Sequence, residues 1–203
     1  MIGLATIKID DLFNQLGDDA AKAIVSQFSC PLNLDLQNFL LDTNKALVLA
    51  HQKVSMTYLV FASYKNKPVL IGYYTLCNKY ITMPCSLLSS TYRKKISRFA
   101  DKSEDGKSYV LSAPLIAQLG KNFTNGYNAL ITGDELLKLA LDKVREMQSI
   151  IGGKIVYLEC EKTPKLIDFY ERNGFCAFGE RKLDKDETGI KGATLVQLFG
   201  YLG

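Results

Sequence analysis

Three observations predict an α/β fold, a β-sheet flanked by helices. Runs rich in β-branched and aromatic residues alternate with stretches whose apolar residues recur at helical spacing, so strands and helices interleave along the chain. Residues 154–183 condense this order into strand, short helix, strand: a buried run ends at Glu159-Cys160-Glu161, Pro164 suits a first helical turn, Gly174 can close that helix, and Phe175 opens the next strand. Finally, 203 residues with 47% hydrophobic and 23% charged content are enough for a full core. Residues 1–203 are therefore read as one domain.

The elements follow in order. Between residues 10 and 28, Leu12, Phe13, Leu16, Ala20, Ala23, Ile24 and Phe28 step by three and four, which predicts a helix or a helix pair broken near Gly17. Pro31-Leu32-Asn33 then breaks and caps the chain ahead of a helix from about Leu34 past Leu47. Residues 56–63 and 69–77 read as an antiparallel hairpin around Tyr64-Lys65-Asn66-Lys67-Pro68. A helix is expected over residues 86–99, carrying Tyr92, Arg93, Lys94, Lys95 and Arg98. That cluster reads either as a phosphate-facing patch or as a solvated face neutralised by Asp101, Glu104 and Asp105. A long strand over 108–120 and a helix over 134–147, ended by Gly152-Gly153, come next. After the 154–183 segment and a charged, glycine-bearing loop, residues 193–201 form the last strand.

Composition excludes several functions. The excess of 25 basic over 21 acidic residues is mild, permitting an anionic ligand or nucleic acid without selecting either. Five cysteines without a C-x-x-C pair, together with the lone His51, argue against a zinc site and for free thiols in a reducing compartment. No window approaches the roughly twenty apolar residues of a membrane span, and the first eleven residues lack a signal-peptide core. A cytoplasmic location without a membrane partner is expected. No nucleophile elbow, H-E-x-x-H helix or Walker loop is present.

The string from Tyr157-Leu158-Glu159-Cys160 through Phe169-Tyr170-Glu171-Arg172-Asn173-Gly174-Phe175 to Phe178-Gly179-Glu180-Arg181 resembles the C-terminal motif of the GNAT acetyltransferases. Phe28-Ser29-Cys30, Phe39-Leu40, Thr57-Tyr58-Leu59-Val60 and Gly72-Tyr73-Tyr74-Thr75-Leu76 come in the order seen in one GNAT branch, the toxin-type enzymes of bacterial toxin–antitoxin modules. The resemblance implies a single GNAT domain built on a central, strongly twisted mixed sheet. It also implies acetyl-CoA as cosubstrate and direct acetyl transfer to a primary amine. The acceptor would be an aminoacyl-tRNA, a protein or an amine-bearing small molecule, and an antitoxin would be a further partner.

Residue roles follow from the same resemblance. Leu119, Gly120 and Lys121 fall where the family's central strand meets the pantetheine arm through backbone groups. Asn128, Ile131, Thr132 and Gly133 fall in the segment that opens the pyrophosphate-binding helix, although only Gly133 keeps a small residue of the family's pattern and Asn128 stands where Gln or Arg is usual. Asp134 and Glu135 bring two carboxylates to that helix start, which suits the helix dipole and opposes a phosphate. An ordinary N-terminus capped by Thr132 is the other reading. Tyr170 would be the general acid that protonates the departing thiolate, or else a tyrosine packed on an apolar stripe. A backbone N–H near Leu119 would stabilise the oxyanion. Glu159, Glu161 or a water chain could deprotonate the amine, and Cys160 needs no role. An alternative for the whole chain is a GNAT-fold interaction module that binds CoA weakly or not at all.

Overall fold

A computed structural model describes residues 3–42, 44–184 and 192–203. The strands are ordered β1-β2-β3-β5-β6-β8-β7, with β4 beside β5, in a large mixed sheet flanked by helices. Two compact units are distinguished. One holds the chain up to Cys77 and Ile116–Asp142; the other holds Asn78–Leu115 and the described chain from Lys143 onward.

The first unit begins with strand β1, Leu4–Lys8, which pairs antiparallel with β2, Met56–Tyr64. Four of its five residues are exposed, so it carries little of the alternation that marks a half-buried strand. Helices α1, Ile9–Leu16, and α2, Asp18–Val25, are the expected pair, broken at Gly17 with φ of 77°. The next predicted helix is instead two: α3, Leu34–Leu41, whose N-cap Asn33 accepts from the Leu36 amide at 3.1 Å, and α4, Ala46–His51. Asp42 leaves the helical region and ends α3 there. Strand β3, Lys67–Pro84, runs seven residues further than the hydropathy pattern suggested, and the β2–β3 turn places Lys65 and Asn66 both at positive φ, as a two-residue hairpin turn requires. Core residues of this unit include Leu12, Phe13, Val25, Phe28, Leu40, Leu59, Leu70 and Tyr73.

Strand β5, Ser108–Lys121, begins in the second unit and ends in the first. Its first-unit end lies close against β3: a side chain on Gly72 would come within 2.8 Å of the Gly120 carbonyl oxygen. Gly72 is therefore there to let two backbones approach. A bulge at Ile71, where Val60 faces Gly72 but Phe61 faces Leu70, turns the Ile71 carbonyl to accept from the Asn122 amide at 2.8 Å. Helix α6, Gly133–Ile151, lies between β5 and β6 in sequence, and those two strands are neighbours in the sheet.

In the second unit a tight turn at Cys85–Leu87 precedes helix α5, Ser90–Ile96, shorter than the 86–99 expected because Ser89 caps it, accepting from Tyr92 N at 3.3 Å. The acidic stretch after it contains strand β4, Asp101–Lys102, paired with β5. Strand β6, Ile155–Glu161, helix α7, Pro164–Arg172, and strand β7, Phe175–Lys182, follow the sequence reading closely, with Gly174 at φ of 85° between the last two. Strand β8, Thr194–Tyr201, pairs antiparallel with both β6 and β7. Most of the charged loop before it, residues 185–191, lies outside the described residues. Met83, Ile96, Tyr157, Phe178 and Phe199 belong to this unit's core. Among the described residues no helix is long and apolar enough to cross a membrane.

Candidate functional site

At the end of β5 the first unit is tied together by one side chain that the sequence reading passed over. Asn122 is fully buried. Its Oδ1 accepts from Ser29 N at 2.9 Å and Thr124 N at 3.0 Å, while its Nδ2 donates to Leu70 O at 2.8 Å and Gln27 O at 3.1 Å. All four hydrogen-bonding positions of the amide are used. The Phe123 amide donates to Ser29 O at 2.7 Å, so the segment after α2 is laid along the end of β5. Gln37 Oε1 accepts from Cys30 N at 2.9 Å, Tyr73 donates to Leu36 O at 2.6 Å, and Gln118 donates to Asp35 at 3.4 Å; these bonds hold α3 beside the same place. Leu119 is half-buried, and one face of the buried Gly120 is closed by Leu36, Phe28 and Tyr73.

The strand-to-helix junction gathers the other predicted binding residues. Lys121 Nζ donates to the carbonyls of Asn128 at 2.9 Å and Ile131 at 3.1 Å, closing the turn of residues 124–130 onto the strand. Thr132 precedes α6 and caps it reciprocally. Its hydroxyl accepts from Glu135 N at 3.1 Å, and Glu135 Oε2 accepts from Thr132 N at 2.7 Å and from the Thr132 hydroxyl at 2.8 Å. This is a capping box, and the Thr-x-x-Glu spacing is the local signal that reveals it. Those bonds hold the Glu135 carboxyl below its ordinary range, so it is ionised at neutral pH. The Thr132 amide and hydroxyl are thus both already engaged, by a carboxylate of the protein itself.

Tyr170 lies in the second unit. It sits on the last turn of α7, 9% exposed, with edge-to-face contacts to Phe169 at 4.9 Å and Phe175 at 5.9 Å. Its hydroxyl has no hydrogen-bond partner among the described residues. Burial, and then the neighbouring Cys160, push its ionisation well above the ordinary tyrosine value. The proton is thus held throughout the physiological range, as a general acid needs.

Burial and Glu161 likewise push the Cys160 thiol up to about 11. Cys160 is therefore expected to resist iodoacetamide at pH 7.5 in the native protein, reacting after the part-exposed Cys77, Cys85 and Cys176. Peptide mass spectrometry of a timed alkylation checks this; early labelling of Cys160 contradicts it.

Of the base candidates, Glu159 is already committed. It accepts from Arg181 Nε at 2.7 Å and Nη2 at 2.6 Å, and from Gln197 Nε2 at 2.8 Å, so one carboxylate oxygen ties β6 to β7 and the other ties it to β8. His51 is exposed at the end of α4. In the basic cluster, Arg93, Lys94 and Arg98 are exposed, and Lys95 lies 4.4 Å from the Tyr201 ring centre. None of the four forms an ion pair with Asp101, Glu104 or Asp105 among the described residues; Asp105 instead accepts from Ser103 at 2.7 Å and from Lys107 N at 3.0 Å. No group of three or more His, Cys, Asp or Glu side chains among the described residues could hold a metal ion.

The order of elements, with helix α6 crossing from β5 to β6 and the strand–helix–strand of β6, α7 and β7, defines the GNAT-like fold of the toxin-type proteins, and solved structures of that class match over nearly the whole chain. They include AtaT complexed with acetyl-methionyl-tRNAfMet, with TM-score 0.59 and 17% identity over 96% of this chain and 94% of that one. A tyrosine-to-phenylalanine mutant of KacT matches with TM-score 0.59 and 19% identity over 96% and 93%. AtaTR bound with AcCoA matches with TM-score 0.55 and 18% identity over 98% and 93%. At such identities the likeness is one of fold. No family model matches the chain, and neither does any curated protein.

Proposed function

We propose that the chain is an acetyl-CoA-dependent N-acetyltransferase that moves the acetyl group directly to a primary amine. The observation that carries this reading is the full-length fold likeness to toxin structures that include one with AcCoA and one with an acetylated aminoacyl-tRNA. Tyr170, on the helix that follows β6, supports it.

Acetyl-CoA supplies an activated thioester. As the amine nitrogen bonds to the carbonyl carbon and the C–S bond breaks, Tyr170 delivers its hydroxyl proton to the departing sulfur and regains one, through water, from the new amide nitrogen. Backbone groups of Leu119, Gly120 and Lys121 hold the pantetheine arm, and an N–H near Leu119 stabilises the charge growing on the carbonyl oxygen. Asn128, Ile131, Thr132 and Gly133 shape the diphosphate-binding turn at the start of α6. With Glu159 committed to Arg181, deprotonation of the amine falls to Glu161 or to water.

The acceptor best supported is the α-amine of an aminoacyl-tRNA, because Arg93, Lys94, Lys95 and Arg98 form a cationic surface without acidic partners among the described residues, with Tyr92 beside it. Counterion release then requires that affinity for aminoacyl-tRNA fall steeply with salt. Filter binding between 50 and 300 mM KCl tests this, and an affinity indifferent to salt would point to a small amine or a protein lysine. An antitoxin is the partner proposed by likeness to AtaT bound to the C-terminus of the antitoxin AtaR.

A second reading, an interaction module of GNAT fold that does not use CoA, is favoured by one observation, the Glu135 carboxylate on the Thr132 amide. Titration with acetyl-CoA separates the two.

A further inference from the structure

Cys85, Lys102 and Tyr109 form a cluster in the second unit, apart from the residues assigned above to acetyl transfer. Two strands bring the reactive pair together. Cys85 opens the tight turn that follows β3, and its amide donates to the Lys107 carbonyl at 2.8 Å, which fixes it beside the start of β5. Lys102 lies on β4, opposite Tyr109 of β5. Its ammonium donates to Cys85 Sγ at 3.1 Å and to the Gly106 carbonyl at 3.3 Å, and it stands 4.0 Å from the centre of the Tyr109 ring. An exposed lysine, a side chain that ordinarily samples many rotamers, is thus held with its nitrogen against a half-buried free thiol.

We infer that Cys85 and Lys102 form a self-modification site for acyl thioesters, in which Cys85 takes an acetyl group from acetyl-CoA and passes it to Lys102. In the first step Cys85 Sγ bonds to the acetyl carbonyl carbon, the bond from that carbon to the CoA sulfur breaks, and the thiol proton passes through water to the departing CoA thiolate. In the second, Lys102 Nζ, having given one proton to water, bonds to the same carbon; the bond from carbon to Sγ breaks, and a further proton from nitrogen restores the thiol. The products are an N-acetyl-lysine and free CoA, with no oxidant or reductant. Cys85 is the first acceptor because a thiol is the stronger nucleophile near neutral pH. Lys102 is held as an ammonium above the ordinary lysine range, first by its hydrogen bond to Cys85. Acylation of Cys85 removes that partner, and the nitrogen already stands at the roughly 3 Å separation of a near-attack arrangement. The product loses the Lys102 charge and its contact with the Tyr109 ring, whose hydroxyl donates to the Arg93 carbonyl of α5 at 3.2 Å. No step passes through Tyr170, so the inference stands whether or not the chain acetylates an external amine.

Incubation of the purified full chain with millimolar acetyl-CoA at pH 8, followed by peptide mass spectrometry, reads the modification. Acetylation of Lys102 is expected to run at least about tenfold ahead of the exposed Lys79 and Lys94, a small part of what proximity can supply. Cys85→Ser should bring Lys102 down to their level, and Tyr170→Phe should leave its lead intact. Lys102→Arg keeps a cation at the site and removes the final acceptor, so acetyl should accumulate on Cys85 as a thioester that hydroxylamine cleaves. Lys102 acetylation no faster than that of Lys79 and Lys94, or equally fast in Cys85→Ser, would overturn the inference. Loss of the modification in Tyr170→Phe would overturn it too, by assigning the reaction to the transfer site. Absence of a Cys85 thioester in Lys102→Arg would overturn the first step and the inference with it.

Discussion

Tyr170→Phe is expected to slow acetyl transfer by about two to four orders of magnitude, the range for removing a positioned general acid. Acetyl-CoA affinity should change less than about twofold. The ring is held by Phe169 and Phe175, and the hydroxyl donates to nothing among the described residues, so phenylalanine keeps the packing and removes only the proton. The pH profile is a second readout. Because burial raises the Tyr170 ionisation above its ordinary value, the acid form persists as pH rises, and no alkaline fall in turnover belongs below about pH 10. Turnover should instead climb with pH as the acceptor amine, about 8 for an α-amine, loses its proton. Stopped-time assays of CoA thiol release by both proteins from pH 6 to 10 measure this; unchanged turnover in the phenylalanine variant would remove Tyr170 from the chemistry.

Asn122→Ala is expected to produce the largest loss of stability of any single change considered, about 3 kcal/mol or more. It leaves the Leu70 carbonyl without that partner at a buried point and removes the partner of the part-buried Ser29 and Thr124 amides and Gln27 carbonyl. Asn122→Asp is no rescue, since a carboxylate cannot donate to the two carbonyls and would bury a charge beside them. Urea unfolding followed by circular dichroism should show the midpoint falling by about 1 M or more in both variants. A midpoint within error of the parent would mean that the end of β5 is held by its strand contacts alone. Because Leu119, Gly120 and Lys121 lie immediately before this residue, the same variants should also weaken acetyl-CoA binding in whatever fraction remains folded.

Local chemistry made much of the fold legible. The β2–β3 hairpin announces itself by aromatic and β-branched runs around Lys65-Asn66, and α7 by Pro164 at its start and Gly174 at its end, because each signal lies within a few residues of its effect. Elements whose reasons are distant or weak were not legible. Strand β1 is an exposed edge whose partner lies some fifty residues on, and α3 and α4 share one apolar pattern although Asp42 interrupts the backbone. The candidate site divides in the same way. Tyr170 and the α6 start are singled out by the family resemblance of their local strings. Asn122 has an ordinary local context, and its importance comes from partners up to 95 residues away. Glu159 looked like a base at a strand end, and only the pairing of β6 with β8 and the approach of Arg181 show it to be spent on structure.

The central claim, that the chain uses acetyl-CoA, is tested most directly by calorimetric titration of the purified protein with acetyl-CoA. The account predicts saturable binding at one site per chain, nearly unchanged by Tyr170→Phe. Absence of heat at millimolar acetyl-CoA in the parent and in Tyr170→Phe would contradict it and leave the interaction module as the reading of this fold.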